Sequence, residues 1–271
     1  MRSFTTWGLL IFLLTCFNFS CTQNKEKNID LNKYFSKYRV QGTFLLYDQN
    51  KDQYFVYNKE RAKTRLCPAS SFKIFGTLAI LDSEVIKNEK TVLKWDGTKH
   101  FIESFNQDLN LEQAYKYSAE WVYQKLIKEI GHSKMQNYLT ESHYGNETIG
   151  EKVNAFWLDQ SFKVSAYEQV EFLKKLDSND LPFHQSSIDK TKTIMIHEHS
   201  DKYILRGKTG TTDKGVEQMS WFIGYLEQNS NKYFFATNVY SPSEKEFFKS
   251  KAVQARIPIT KEILKTEFNL L

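Results

Sequence analysis

The sequence predicts an α+β fold in which a helical lobe is inserted into an antiparallel sheet. Aromatic and β-branched runs of strand character stand near both ends of the body of the chain. The middle carries apolar residues at helical spacing. Short polar turns, rather than long crossovers, separate the flanking runs, which favours antiparallel pairing.

In chain order, Met1 to Ser20 reads as a targeting segment. Arg2 is its positive start, and Trp7 to Phe17 is an apolar run too short to span a bilayer comfortably. A polar run, Thr22 to Asn28, follows. The segment implies export. Cys21, after the small Ser20, is either a lipid-modified cysteine that anchors the chain to a membrane or a bystander in an ordinary cleaved leader. Gly42 to Asp48 and Gln53 to Tyr57 read as strands joined by the tight turn Gln49-Asn50-Lys51-Asp52. A helix starts at Ser70, with Phe72, Phe75, Leu78, Ala79 and Leu81 at helical spacing and Pro68 just before it.

Turns are expected at Trp95-Asp96-Gly97 and Tyr144-Gly145-Asn146. Leu111 to Ile130 reads as one amphipathic helix ended by Gly131, and this places Ser118 in its middle. Ser165 to Leu176 is another helix, with Ser165 as N-cap and Glu168 completing a capping box. Tyr203 to Lys208, Ser220 to Glu227 and Tyr233 to Val239 return to strand character, the last two as a hairpin. A C-terminal helix is expected from Ser243 as N-cap. After the leader, residues 22–271 form one domain, with a mixed lobe over about 30–65 and 200–271 and a helical lobe over about 66–199.

The 271 residues are 41% hydrophobic and 15% aromatic, which is ample for a packed core and excludes a disordered chain. The net charge of +5 is spread along the chain. No Lys/Arg block interleaves with aromatics, so a nucleic-acid partner is not expected, and the balance favours anionic ligands. Of three cysteines, Cys16 and Cys21 lie in or at the leader. Only Cys67 is in the body, so there is no internal disulfide framework, and Cys67 reads as a small residue buried beneath the Ser70 region. His197 and His199 have H-x-H spacing without a third ligand, so a polar loop is expected there and no metal site.

The chemistry centres on Cys67-Pro68-Ala69-Ser70-Ser71-Phe72-Lys73. Ser and Lys three apart share a helix face, so a hydroxyl lies within reach of an amine, as an activated serine nucleophile requires. Free N–H groups of a first helical turn also favour negative charge there. Lys208-Thr209-Gly210 closes a strand. A cation and a hydroxyl there would face an anionic group, with Gly210 allowing close backbone approach. Taken singly, K-T-G reads as a surface turn, Ser118 as an ordinary mid-helix residue, Trp157 as core, and Arg256 as a solvated helix residue.

In order, S-x-x-K, a serine-bearing element and K-T-G form the motif set of penicillin-recognising serine enzymes. Tyr57-Asn58, Arg61-Ala62, Arg65, Pro68 to Lys73, Lys94-Trp95-Asp96-Gly97, Tyr144-Gly145-Asn146, Phe156-Trp157-Leu158 and Trp221-Phe222-Ile223-Gly224-Tyr225 make the likeness specific. From about Gly42 to Leu264 the chain resembles class D (oxacillinase-type) serine β-lactamases. The resemblance implies an antiparallel sheet flanked by N- and C-terminal helices, with the active site between the lobes.

It implies that Ser70 attacks the lactam carbonyl and is acylated, and that Lys73 is carboxylated by carbon dioxide to N6-carboxylysine and acts as general base. Ser118 would relay a proton, and the Trp157 indole would donate to the carbamate. Lys208, Thr209 and Arg256 would bind the substrate carboxylate. The backbone N–H groups of Ser70 and Thr211 would form the oxyanion hole. No cofactor is implied beyond carbon dioxide or bicarbonate, and the enzyme would act in the periplasm as a monomer or homodimer. The physics agrees. A free lysine amine titrates near about 10.4 and must be desolvated to react with carbon dioxide.

The chain departs from the pattern at Glu120, where the family usually has Val. A charge there, if it points at the site, opposes a carbamate on Lys73. Thr211 and Ser220 replace a Trp and a Gly, and His100 and Phe105 replace an Arg and a Trp. Two rivals share the nucleophile: a peptidoglycan transpeptidase or carboxypeptidase, and a β-lactam sensor domain that stays acylated.

Overall fold

The computed structural model describes residues 25–212, 218–241 and 251–271. The leader, Cys21 and the expected N-cap Ser243 lie outside the described residues. The described chain begins with strand β1 (Glu26–Asn28), helix α1 (Asn32–Lys37) and strands β2 (Gln41–Asp48) and β3 (Gln53–Tyr57). Helix α2 (Lys59–Lys63) and a 3-10 turn over Ala69–Phe72 lead into α3 (Lys73–Asp82). Then come α4 (Leu111–Tyr117), α5 (Glu120–Ile130), α6 (His132–Ser142), α7 (Ala166–Ser178) and α8 (Gln185–Ile194). Strands β4 (Ile196–His199), β5 (Tyr203–Thr212), β6 (Met219–Gln228) and β7 (Asn231–Tyr240) precede helix α9 (Lys251–Phe268).

The strands form one seven-stranded sheet in the order β1-β3-β2-β7-β6-β5-β4. Every neighbouring pair is antiparallel except β1 on β3, which is parallel. The sheet expected to be antiparallel throughout therefore carries one short parallel edge. It arises because the Glu26–Asn28 end of the polar run after the leader has its backbone bonds completed by β3. Glu26 also pairs with Lys59.

Both faces of the sheet are covered. On β2, Phe44 and Leu46 enter a core with Phe35 of α1 and Ala255 and Ile259 of α9. Leu45 and Tyr47 enter the opposite core with Phe72, Phe75, Val170 and Leu173. Period-two alternation thus sends successive side chains to different cores.

The single helix expected over Leu111–Ile130 is two. Ser118 adopts the left-handed conformation with φ 65°, ending α4, and Ala119 is extended. Both helices bury their apolar side in the same core, so helical spacing runs on across the break and hides it. Asn110 with Gln113, and Ser165 with Glu168, form capping boxes at α4 and α7, the second as expected. Strand β5 runs four residues past its expected end at Lys208, to Thr212. His197 and His199, expected in a loop, lie in β4.

Candidate active site

The site forms where the turn before α3 meets β5. Ala69, fully buried, holds φ 48°, a left-handed value that a residue with a Cβ rarely adopts. Its neighbours impose it. Leu66 bridges Val164, Trp221 Nε1 donates to the Cys67 carbonyl at 3.0 Å, and the Cys67 thiol donates to the Trp157 carbonyl at 3.1 Å. Cys67 is therefore buried scaffolding beneath the turn, as expected. Ser71 Oγ donates to the Pro68 carbonyl at 2.8 Å and accepts from Gln169 Nε2 at 3.1 Å, while Tyr144 holds Gln169 Oε1 at 2.7 Å.

These contacts present Ser70, half-buried, to Lys73. The Lys73 amine donates to Ser70 Oγ at 2.6 Å. Lys73 is fully buried, among the largest buried side chains, and its pKa is pulled down to about 8 by desolvation, with the Glu120 charge opposing. The Tyr123 ring lies 5.3 Å from the amine, and the Tyr123 hydroxyl is paired with Thr77 at 2.8 Å. Trp157 stacks on Phe72, the residue before Lys73, with centroids 5.1 Å apart. Its indole N–H is buried with no hydrogen-bond partner among the described residues. A buried donor left so is costly unless an acceptor arrives.

The Tyr144-Gly145-Asn146 turn keeps this pocket in shape. Gly145 holds φ 63°, and a Cβ there would meet the Lys163 carbonyl at 2.6 Å. Asn146 donates to the Ser161 carbonyl and accepts from the Lys163 N–H, which ties down the segment after Trp157.

The opposite wall is β5. The Gly207 N–H donates to the Met195 carbonyl at 2.9 Å, on the β4 side. By the alternation of a strand, the N–H groups of Thr209 and Thr211 point the same way, past the end of the β4 pairing. Gly210 lies against the turn that carries Ser70, and a Cβ on it would meet the Pro68 carbonyl at 2.4 Å and Ser71 N at 2.7 Å. Only glycine permits that approach.

Lys208 is buried beside this turn. Its amine donates to the Thr209 carbonyl at 3.1 Å and lies 5.6 Å from the Tyr115 ring. Burial, then Lys73 and Arg256, hold its pKa well below the lysine range. Arg256 of α9 is pulled down to about 10 by desolvation, and its buried Nε has no partner among the described residues. Lys208, Thr209, Arg256, His197 and Tyr115 line a cleft of about 620 Å3. Reluctant cations on such a wall call for an anion.

Ser118 sits at the α4–α5 junction, between Tyr115 under one lysine and Tyr123 under the other. Its hydroxyl makes no hydrogen bond to another described residue. Thr211 Oγ1 pairs with Ser220 Oγ at 3.0 Å. Sequence reasoning missed Tyr115 and Tyr123 as parts of the site, since aromatics at helical spacing carry no signal beyond core packing.

A serine hydroxyl hydrogen-bonded to a buried lysine, facing a K-T-G strand across a cleft, is the constellation of penicillin-recognising serine enzymes. Residues 40–265 match the penicillin binding protein transpeptidase domain. The chain is 39% identical over 242 residues to β-lactamase OXA-48 of Klebsiella pneumoniae, covering 89% of each. A class D β-lactamase structure from Sebaldella termitidis superposes with a TM-score of 0.86 at 38% identity, over 91% of this chain and 98% of that one. The regulatory protein BlaR1 of Bacillus licheniformis is 36% identical over 85% of this chain, which spans 38% of BlaR1. The chain belongs to the transpeptidase family and, within it, to the class D β-lactamases.

Proposed function

We propose that the protein hydrolyses β-lactams through a Ser70 ester, as an exported enzyme whose action confers antibiotic resistance. One observation carries this: a fully buried Lys73 amine, 2.6 Å from a serine hydroxyl and pulled toward its neutral form. Ser70 Oγ attacks the lactam carbonyl, the C–N bond breaks, and Ser118 passes the proton to the departing nitrogen. Water then attacks the ester. The N–H groups of Ser70 and Thr211 hold the developing oxyanion. Lys208, Thr209 and Arg256 hold the substrate carboxylate. Carbon dioxide adding to the neutral Lys73 amine, with loss of a proton, would supply a carbamate as general base for both halves. The Trp157 N–H fits that group, because it is a buried donor lacking an acceptor among the described residues.

Excess chromogenic cephalosporin tests the reading. Sustained turnover is expected. One stoichiometric burst would instead identify a transpeptidase or an antibiotic sensor. The sensor is the rival that an observation favours, because Glu120 beside Lys73 favours the ammonium over the carbamate.

A further inference from the structure

We propose that His197 is a specificity-determining residue of the carboxylate wall, taking up a proton as an anionic substrate enters and becoming a third cation beside Lys208 and Arg256. The inference rests on the β-lactam reading above.

Its ground is a register shift. Between β4 and β5, Ile196 pairs with Arg206 and Glu198 with Leu205, so His197 is an extra residue without a partner. Such a bulge re-aims a side chain and is common beside active sites. Here it turns the imidazole into the cleft that Lys208, Thr209 and Arg256 line. The ring stands 5.2 Å from Phe222, which lies directly across β5 and β6 from Thr209 and so shares its face. His197 is exposed at the cleft mouth but backed by this apolar ring.

The charges facing it come from four elements. Glu198 is on its own strand, Lys208 on β5, Arg256 and Lys261 on α9, and Glu112 and Lys116 on α4 across the cleft. Glu198 is occupied by Lys261, at 2.8 and 2.9 Å. Desolvation, with Lys261 and Lys208 against Glu198, holds the imidazole below its ordinary pKa of 6.5. In the empty site it is therefore neutral at pH 7. A bound carboxylate reverses the local field and raises the pKa. Anion affinity is then greatest below the free-state pKa and declines as pH rises through the bound-state value.

Proton uptake on binding is the readout. The full chain carrying Ser70→Ala is titrated calorimetrically with benzylpenicillin between about pH 5.5 and 7.5, in two buffers of different ionisation heat. A fraction of a proton should be taken up, and Kd should rise about two- to fivefold across that range. Adding His197→Gln should reduce the uptake and flatten the pH dependence, leaving only what Lys208 on the same wall contributes. His197→Lys should bind tightly across that range, with no more uptake than the Gln variant. Unchanged uptake in the Gln variant, pH-independent binding, or no measurable binding would each overturn the proposal. Turnover by the unmutated chain reports separately on the hydrolase reading: turnover with flat binding removes only the role of His197.

Discussion

Lys73 and Lys208 are both buried, and each lies over a tyrosine ring, Tyr123 at 5.3 Å and Tyr115 at 5.6 Å. The two tyrosines come from helices on either side of Ser118. Burial pushes both lysines toward the neutral amine, so burial alone does not separate their roles. Their neighbours do. Lys73 faces a hydroxyl and an aromatic wall, with Glu120 as the charge acting on it. Lys208 stands on an open cleft with Lys73 and Arg256 as neighbouring cations. A desolvated amine beside a hydroxyl becomes a base, whereas a cation crowded by cations awaits an anion. The two are coupled: a carbamate on Lys73 would replace a repulsive neighbour of Lys208 with an attractive one and restore its charge.

The sharpest way to break this comparison is to remove each lysine. Lys73→Met should lower kcat about 10⁴-fold or more with little change in KM. Lys208→Ala should cost about 10²-fold in kcat/KM, mostly through KM. Equal losses in the same parameter would end the distinction. Stability gives a second measure. The folded pKa of Lys73, about 8 against 10.5, means its charge opposes folding fully below about pH 8 and ceases to do so as pH rises toward 10.5. Denaturant titration should find Lys73→Met more stable at pH 7, on the order of 3 kcal/mol before relaxation, with the gap closing toward pH 10.5.

The next effect tests the contact between the two walls. Gly210→Ala places a Cβ 2.4 Å from the Pro68 carbonyl, so β5 must withdraw from the nucleophile's turn. Acylation measured by stopped flow should slow about 10²-fold, while the fold persists. Full activity would show that the close approach does not matter. The smallest effect sharpens the Lys73 side. Glu120→Val removes the charge that favours the ammonium, so half-maximal activation should need severalfold less bicarbonate. Trp157→Phe keeps the stack on Phe72 but removes the donor, so it should need more. Identical bicarbonate curves for Glu120→Val and the unmutated chain would retire the role of Glu120.

Much of the site was legible because its signals are local. Ser70 and Lys73 share a face through helical spacing, Gly210 marks a close approach, and Ser165 with Glu168 marks a helix start. The missing parts are non-local. The break at Ser118 was hidden because α4 and α5 feed one core, and it is this break that aims Tyr115 and Tyr123 at different lysines. The β1 strand was hidden because its polar residues are paired at an edge. Strand β4 and its bulge at His197 depend on β5, 10 residues away at the Ile196–Arg206 pair.

By itself the sequence determined the secondary-structure alternation, the pairing of Ser70 with Lys73, and the family motifs, since each rests on residues a few positions apart. Only the tertiary structure decided that Lys73 is dry and Lys208 faces a cleft, that the Trp157 indole lacks a partner among the described residues, and that His197 lines the cleft with Lys208 and Arg256. Desolvation and charge depend on which distant segments meet, and chain spacing does not encode that.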